Sequence, residues 1–142
     1  MTTITKTIIT VRATVNAPAE TVWKHWTSPE SVTRWNNASD DWHSPKASND
    51  LRQGGRFNYR MEARDGSMGF DFEGTYDKVI ENKQIDYTIL DGRKVKITFS
   101  AEGEKTEVVE TFEAEGTHSL EQQRDGWQSI MNNFKKFAEL HK

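Results

Sequence analysis

Glu110 is the residue whose position promises the most chemistry. It lies in an alternating run, Thr106 to Ala114, two residues from Val108 and two from Phe112. Strand parity therefore puts its carboxyl on the same face as those apolar side chains. A carboxyl held inside a protein must be paired, hydrogen-bonded or neutral. Facing inward, Glu110 would be a polar anchor or an acid/base group. A strand edge, or a bulge that turns the side chain outward, is the commoner fate of a lone carboxylate at such a position. Around it, the same alternation selects Phe57, Tyr59, Met61, Phe72, Tyr87 and Ile97 from other strands. Tyr59, Phe72, Tyr87 and Trp127 form a candidate aromatic wall, either packed as plain core or stacked on a flat or lipid-like molecule. Tyrosine hydroxyls on that wall need partners, from a ligand, a water or Glu110.

Other chemistries find little support. The four histidines, His25, His43, His118 and His141, are scattered without ligand spacing, and the chain has no cysteine. No metal site, thiol chemistry or disulfide is expected. Gly54-Gly55 reads as a turn rather than a phosphate cradle, and Asp40-Asp41 with His43 reads as a solvated loop. No nucleophile elbow or Ser/His/Asp order occurs. No catalytic set and no cofactor are expected. The net charge is −3 with both signs interspersed, which disfavours nucleic acid, because phosphate binding needs a basic face. No apolar run approaches the roughly 18 residues of a membrane span. The first fifteen residues lack the apolar core of a signal peptide. A cytoplasmic location is expected.

The elements that must position these residues follow from periodicity. Between Ser119 and Lys142, residues Leu120, Trp127, Ile130, Met131, Phe134, Phe137 and Ala138 make one apolar stripe with a helical period. Ser119 with Gln122 fits a capping box. Gln123 and Arg124 lie near the stripe at its start, and Gly126 breaks the helix propensity beside Trp127. Residues 4 to 15 alternate as a strand, with Ile9, Val11, Ala13 and Val15 on one face. Pro18, at the first helical position, opens a short helix bearing Val22, Trp23 and Trp26. Ser28 caps a second with Val32 and Trp35. Residues 36 to 50 are polar and read as a loop around Trp42, with a short strand near Ala47 to Arg52. Alternating strands then run to Ala114, separated by Asp65-Gly66, Glu81-Asn82, Asp91-Gly92 and Glu102-Gly103 turns. The order predicts an α+β fold: a curved antiparallel sheet of six to seven strands wrapped around a long C-terminal helix, with two short helices after the first strand. One helix cannot fill the hollow of so wide a sheet, so a cavity between them is expected.

This order resembles the helix-grip fold of the START-like, or SRPBCC, superfamily. Asn16-Ala17-Pro18-Ala19-Glu20-Thr21-Val22-Trp23, Ser28-Pro29-Glu30 with Trp35, Asp50-Leu51-Arg52-Gln53-Gly54-Gly55-Arg56-Phe57, Gly74-Thr75-Tyr76 and Gly126-Trp127 narrow the likeness. Together they are similar to the family named for the activator of heat-shock protein 90 ATPase, in a single-domain form covering residues 1–142. The eukaryotic co-chaperones of that family carry a further N-terminal domain, which is not expected here. The superfamily hosts lipid carriers, hormone receptors, cyclases and co-chaperone domains, so the resemblance implies a fold more than an activity. The leading expectation is a cavity that binds a small apolar or aromatic molecule for carriage, sensing or sequestration. Its candidate contacts are Trp35, Phe57, Tyr59, Met61, Phe72, Tyr87, Ile97, Glu110, Gln123, Trp127 and Met131. The resemblance offers a protein partner, a chaperone-like ATPase, as one alternative. A cyclase or hydrolase using Glu110 or His43 is the other.

Overall fold

The computed structural model describes residues 7–142. Residues 4–6 of the expected first strand lie outside that range. Seven strands form one antiparallel sheet: β1 (Ile8–Val15), β2 (Trp42–Asn49), β3 (Arg56–Ala63), β4 (Gly69–Ile80), β5 (Gln84–Ile89), β6 (Lys94–Glu102) and β7 (Lys105–Glu113). Three helices complete the fold: α1 (Ala19–Thr27), α2 (Pro29–Trp35) and α3 (Leu120–Leu140). The strand order is β1-β7-β6-β5-β4-β3-β2. Strands β2 to β7 are neighbours in sequence, joined through tight turns. β1 pairs with the last strand, β7, so β1 and β2 are the two edges of a curled half-barrel.

Alternation decides which face is covered. In β1, Ile9, Val11 and Val15 are buried; in β5, Ile85, Tyr87 and Ile89; in β6, Val95, Ile97 and Phe99. Gly74 sits where β4 presses on β5. A Cβ there would strike the Thr88 carbonyl oxygen and approach the Phe57 ring, so the close strand approach requires glycine.

Three local readings need correction. Residues 42–49 are a strand, not a loop, paired to β3 with a bulge between His43 and Lys46. Pro45 falls in that bulge on an edge strand, where a missing N–H does least damage. Pro18 is the N-cap of α1 rather than its first residue, and Ser28 precedes α2 without a side-chain cap bond.

α3 lies in the hollow of the sheet. Met131, Phe134 and Ala138 are fully buried and Phe137 nearly so, whereas Leu120, expected on the stripe, is half exposed at the helix start. The Phe134 ring meets Trp26 and Trp35 edge-on at 4.8 and 5.0 Å. Polar side chains pin the helix at three places. Gln128 accepts from the Arg12 N–H and donates to the Arg12 carbonyl. Asn133 donates to the Asn37 carbonyl. Glu139 accepts from the Asn16 N–H at 2.8 Å and from Lys135 at 2.6 Å. All three tether α3 to the β1 side and to the segments flanking α1 and α2, leaving the β3 to β5 half of the hollow uncovered.

The expected capping box forms. Ser119 Oγ accepts from the Gln122 N–H, and the Gln122 side chain accepts from the Ser119 N–H. Replacing Ser119 with alanine is expected to cost about 1 kcal/mol, read as a lower urea midpoint with an unchanged slope.

Candidate functional site

The uncovered half of the hollow is a cavity of about 170 Å³. β3 supplies Phe57, Tyr59 and Met61; β4 supplies Phe70, Phe72 and Tyr76; β5 supplies Ile85 and Tyr87; β7 supplies Glu110. The helices close it with Trp26, Thr27 and Trp35, then Trp127 and Ile130 of α3, and Asn36 just after α2. Strand alternation aims the β-residues inward at every second position.

The walls are held by ring contacts. Phe57 touches Tyr87 edge-on at 4.8 Å and lies 5.2 Å from both Tyr59 and Tyr76. Trp127 stacks on Phe112 at 3.8 Å with planes 12° apart, and meets Phe72 edge-on at 6.1 Å. Trp35 donates its indole N–H to the His25 carbonyl, so its polar atom is satisfied and its ring is free to line the space. Phe70 is about half exposed and reaches Trp42 at 6.1 Å, marking the outer end.

The polar groups of the cavity divide into two sets. Tyr59 and Tyr76 interact with each other and with Asn49, whose amide also donates to the Thr27 carbonyl at 2.7 Å. Burial raises the pKa of both hydroxyls above the usual tyrosine value. Glu110 and Tyr87 form the second set. Glu110 is 6% exposed, and no described residue hydrogen-bonds its carboxyl. Its polar atoms therefore open onto the cavity rather than onto protein. Burial pushes its pKa up to about 8, so at pH 7 the carboxyl is mostly protonated. Burial also raises Tyr87, with the Glu110 charge adding to the effect. Among the described residues, no lysine, arginine or histidine lines the cavity.

Glu110 thus faces inward, contrary to the commoner outcome for a lone carboxylate. β7 is an interior strand paired without interruption to β1 and β6 (Val11 and Ile97 face Glu110 across the ladder), so nothing turns the residue outward.

Of the residues singled out from the sequence, Trp35, Phe57, Tyr59, Met61, Phe72, Tyr87, Glu110 and Trp127 meet at this cavity. Ile97 and Met131 are fully buried core and do not reach it. Gln123 is elsewhere: its amide donates to the Glu115 and His118 carbonyls and accepts from the Glu115 N–H, closing the turn before α3. Phe70, Tyr76 and Ile85 also line the cavity, at strand positions an even number of residues from Phe72 or Tyr87, so parity is the signal that finds them. Trp26, Thr27, Asn36 and Ile130 carried no signal beyond helical spacing or none at all. A Cβ on Gly126 would meet nothing within 4 Å, so no close neighbour demands glycine there. His25 bonds Ser31 and the His141 carbonyl, and among the described residues no cluster of three metal-ligating side chains occurs.

A curled sheet gripping a terminal helix over an aromatic cavity defines a helix-grip protein of the SRPBCC type. The chain belongs to the family described as "Activator of Hsp90 ATPase homolog 1-like protein", whose profile matches residues 16–139. It is similar to the AHSA1-like protein from Aeromonas hydrophila, at 42% identity and a TM-score of 0.89 over 95% of this chain and 94% of that one. A protein from Cytophaga hutchinsonii is 50% identical, with a TM-score of 0.81 over 94% and 92% of the two chains. One from Nitrosomonas europaea shares the fold at 18% identity and a TM-score of 0.78, over 94% and 95%. No functionally curated protein matches. No described helix is long and apolar enough to cross a membrane.

Proposed function

We propose that this chain binds a small hydrophobic or aromatic molecule in the cavity between the β3 to β5 half of the sheet and α3. Its role would be carriage, sensing or sequestration. The observation that carries the reading is a void of about 170 Å³ walled by aromatic rings. An engineered apolar cavity of roughly 150 Å³ holds benzene, so a ligand of about one ring fits. Helix-grip folds of this kind commonly take hydrophobic ligands, which agrees.

A thermal-shift screen of one-ring apolar compounds tests the reading. A compound at 100 times its Kd is expected to raise Tm by roughly 5 °C or more. Ile130→Trp, which places an indole in the void, is expected to abolish that shift while leaving a cooperative transition. No shift from any compound, or an equal shift in Ile130→Trp, would refute it.

The family description favours a second reading, a chaperone-type ATPase as protein partner. Its test is a pull-down followed by an ATPase assay, and no captured chaperone with no change in rate would dispose of it.

A further inference from the structure

The proposed ligand reading leaves one cavity group without a role in packing. Glu110 is 94% buried by its 6% exposure, aims into the void and has no hydrogen-bond donor among the described residues. The neighbouring hydroxyls of Tyr59 and Tyr76 are engaged with each other and with Asn49. Among the described residues the lining contains no cationic side chain; Arg93, whose charge acts on Tyr87, is paired with Asp91. Phe57, Phe72, Tyr87 and Trp127 line the same space, and an aromatic ring attracts a cation that approaches its face. Among its described residues the cavity lining therefore carries one carboxyl and no cationic group.

We infer that the ligand of this cavity is a small organic amine, one aromatic or branched apolar group carrying a single basic nitrogen, with the ammonium on Glu110 and the apolar group among the rings. This rests on the cavity being a ligand site at all. A carboxylate-bearing ligand such as a fatty acid is disfavoured, since it would place two carboxyls together without a counter-ion. A hydrocarbon of the same shape fills the space but leaves Glu110 unpaired.

Binding has a proton signature. Among the described residues, the titratable groups of β3, β4 and β5 that line the cavity with Glu110 are Tyr59, Tyr76 and Tyr87, all with pKa raised by burial, and Arg93, in the turn after β5 and paired with Asp91, acts on Tyr87. β1 and β6 present Val11 and Ile97 beside it. The helices add Trp26, Trp35, Trp127 and Ile130, none of which titrates. The free protein holds a proton on Glu110 at pH 7. An ammonium that enters charged stabilises the carboxylate, and that proton leaves to buffer. The released proton, the carboxylate and the bound ammonium balance the step without any other reactant.

Benzylamine, ethylbenzene and benzoate share a ring and nearly a shape, and differ in charge. Calorimetry at pH 7 in two buffers of different ionisation enthalpy measures affinity and proton release together. Wild type is expected to bind benzylamine about ten-fold or more tighter than either other compound and to release close to one proton per amine bound. Glu110→Gln, shown folded by near-UV circular dichroism, is expected to lose both the preference and the proton. If ethylbenzene binds and benzylamine is no tighter, or if benzylamine binds without proton release, the amine inference falls and the cavity reading stands. If none of the three binds at millimolar concentration, both fall.

Discussion

Raising the pH from 5 to 8.5 is expected to destabilise this protein by on the order of 4 kcal/mol, and Glu110→Gln is expected to remove most of that loss. Glu110 titrates at about 8 in the folded chain against an ordinary 4.5, because burial disfavours its charge. The folded state therefore holds the proton more tightly than the unfolded state does. Below 4.5 both states are protonated and the full stability is present. Between 4.5 and about 8 only the unfolded state ionises, and stability falls by about 1.4 kcal/mol per pH unit. Above 8 the loss is complete. The carboxyls with lowered pKa act elsewhere. Glu139 is held low mainly by Lys135 and then by the Asn16 N–H, and Glu115 by the His118 N–H. They are ionised in both states throughout this window and lose their contribution only in acid. Urea unfolding at several pH values checks the slope. Equal slopes in wild type and Glu110→Gln would remove Glu110 as its source.

Phe134→Ala is expected to cost roughly 3 to 5 kcal/mol, with a fall in Tm on the order of 10 °C. Phe134 has no exposed surface and is the ring on which α1, α2 and α3 converge, touching Trp26 and Trp35. The two tryptophans also contact each other, at 5.0 Å, and hold part of the cavity wall. Removing Phe134 therefore leaves a void that this rigid cluster closes poorly. The loss should exceed that of Leu120→Ala, because Leu120 is half exposed. Denaturant midpoints of the two variants check the ranking, and a comparable loss in both would contradict the role given to Phe134.

How much of this was legible follows from which forces act locally. Alternation and helical period record one-sided burial directly, so six of the seven strands, the two short helices and α3 with its Ser119–Gln122 box could be read from the chain. β2 could not, since an edge strand needs little apolar surface and its Pro45 bulge looks like a loop. Parity placed the inner face but not the part of it that α3 covers. Ile97 and Met131 share the correct faces with Tyr87 and Trp127, yet they are fully buried in the core, while Tyr87 and Trp127 reach the cavity. That distinction depends on curvature and on the tethers at Gln128, Asn133 and Glu139, which link residues about a hundred positions apart. Gln123 shows the same limit at the helix start, where local carbonyls compete for a side chain that periodicity alone turns inward. Glu110 was ambiguous because its orientation depends on two neighbouring strands that only the topology reveals.

The most direct test of the cavity as a ligand site is isotope-filtered NMR with unlabelled toluene and labelled protein. The predicted result is nuclear Overhauser contact from the toluene ring to Trp127 on α3 and to Phe57 and Tyr87 on the sheet, all in one bound species. Contacts confined to exposed side chains such as Met68 and Leu90, with those three rings undisturbed at saturating toluene, would contradict it.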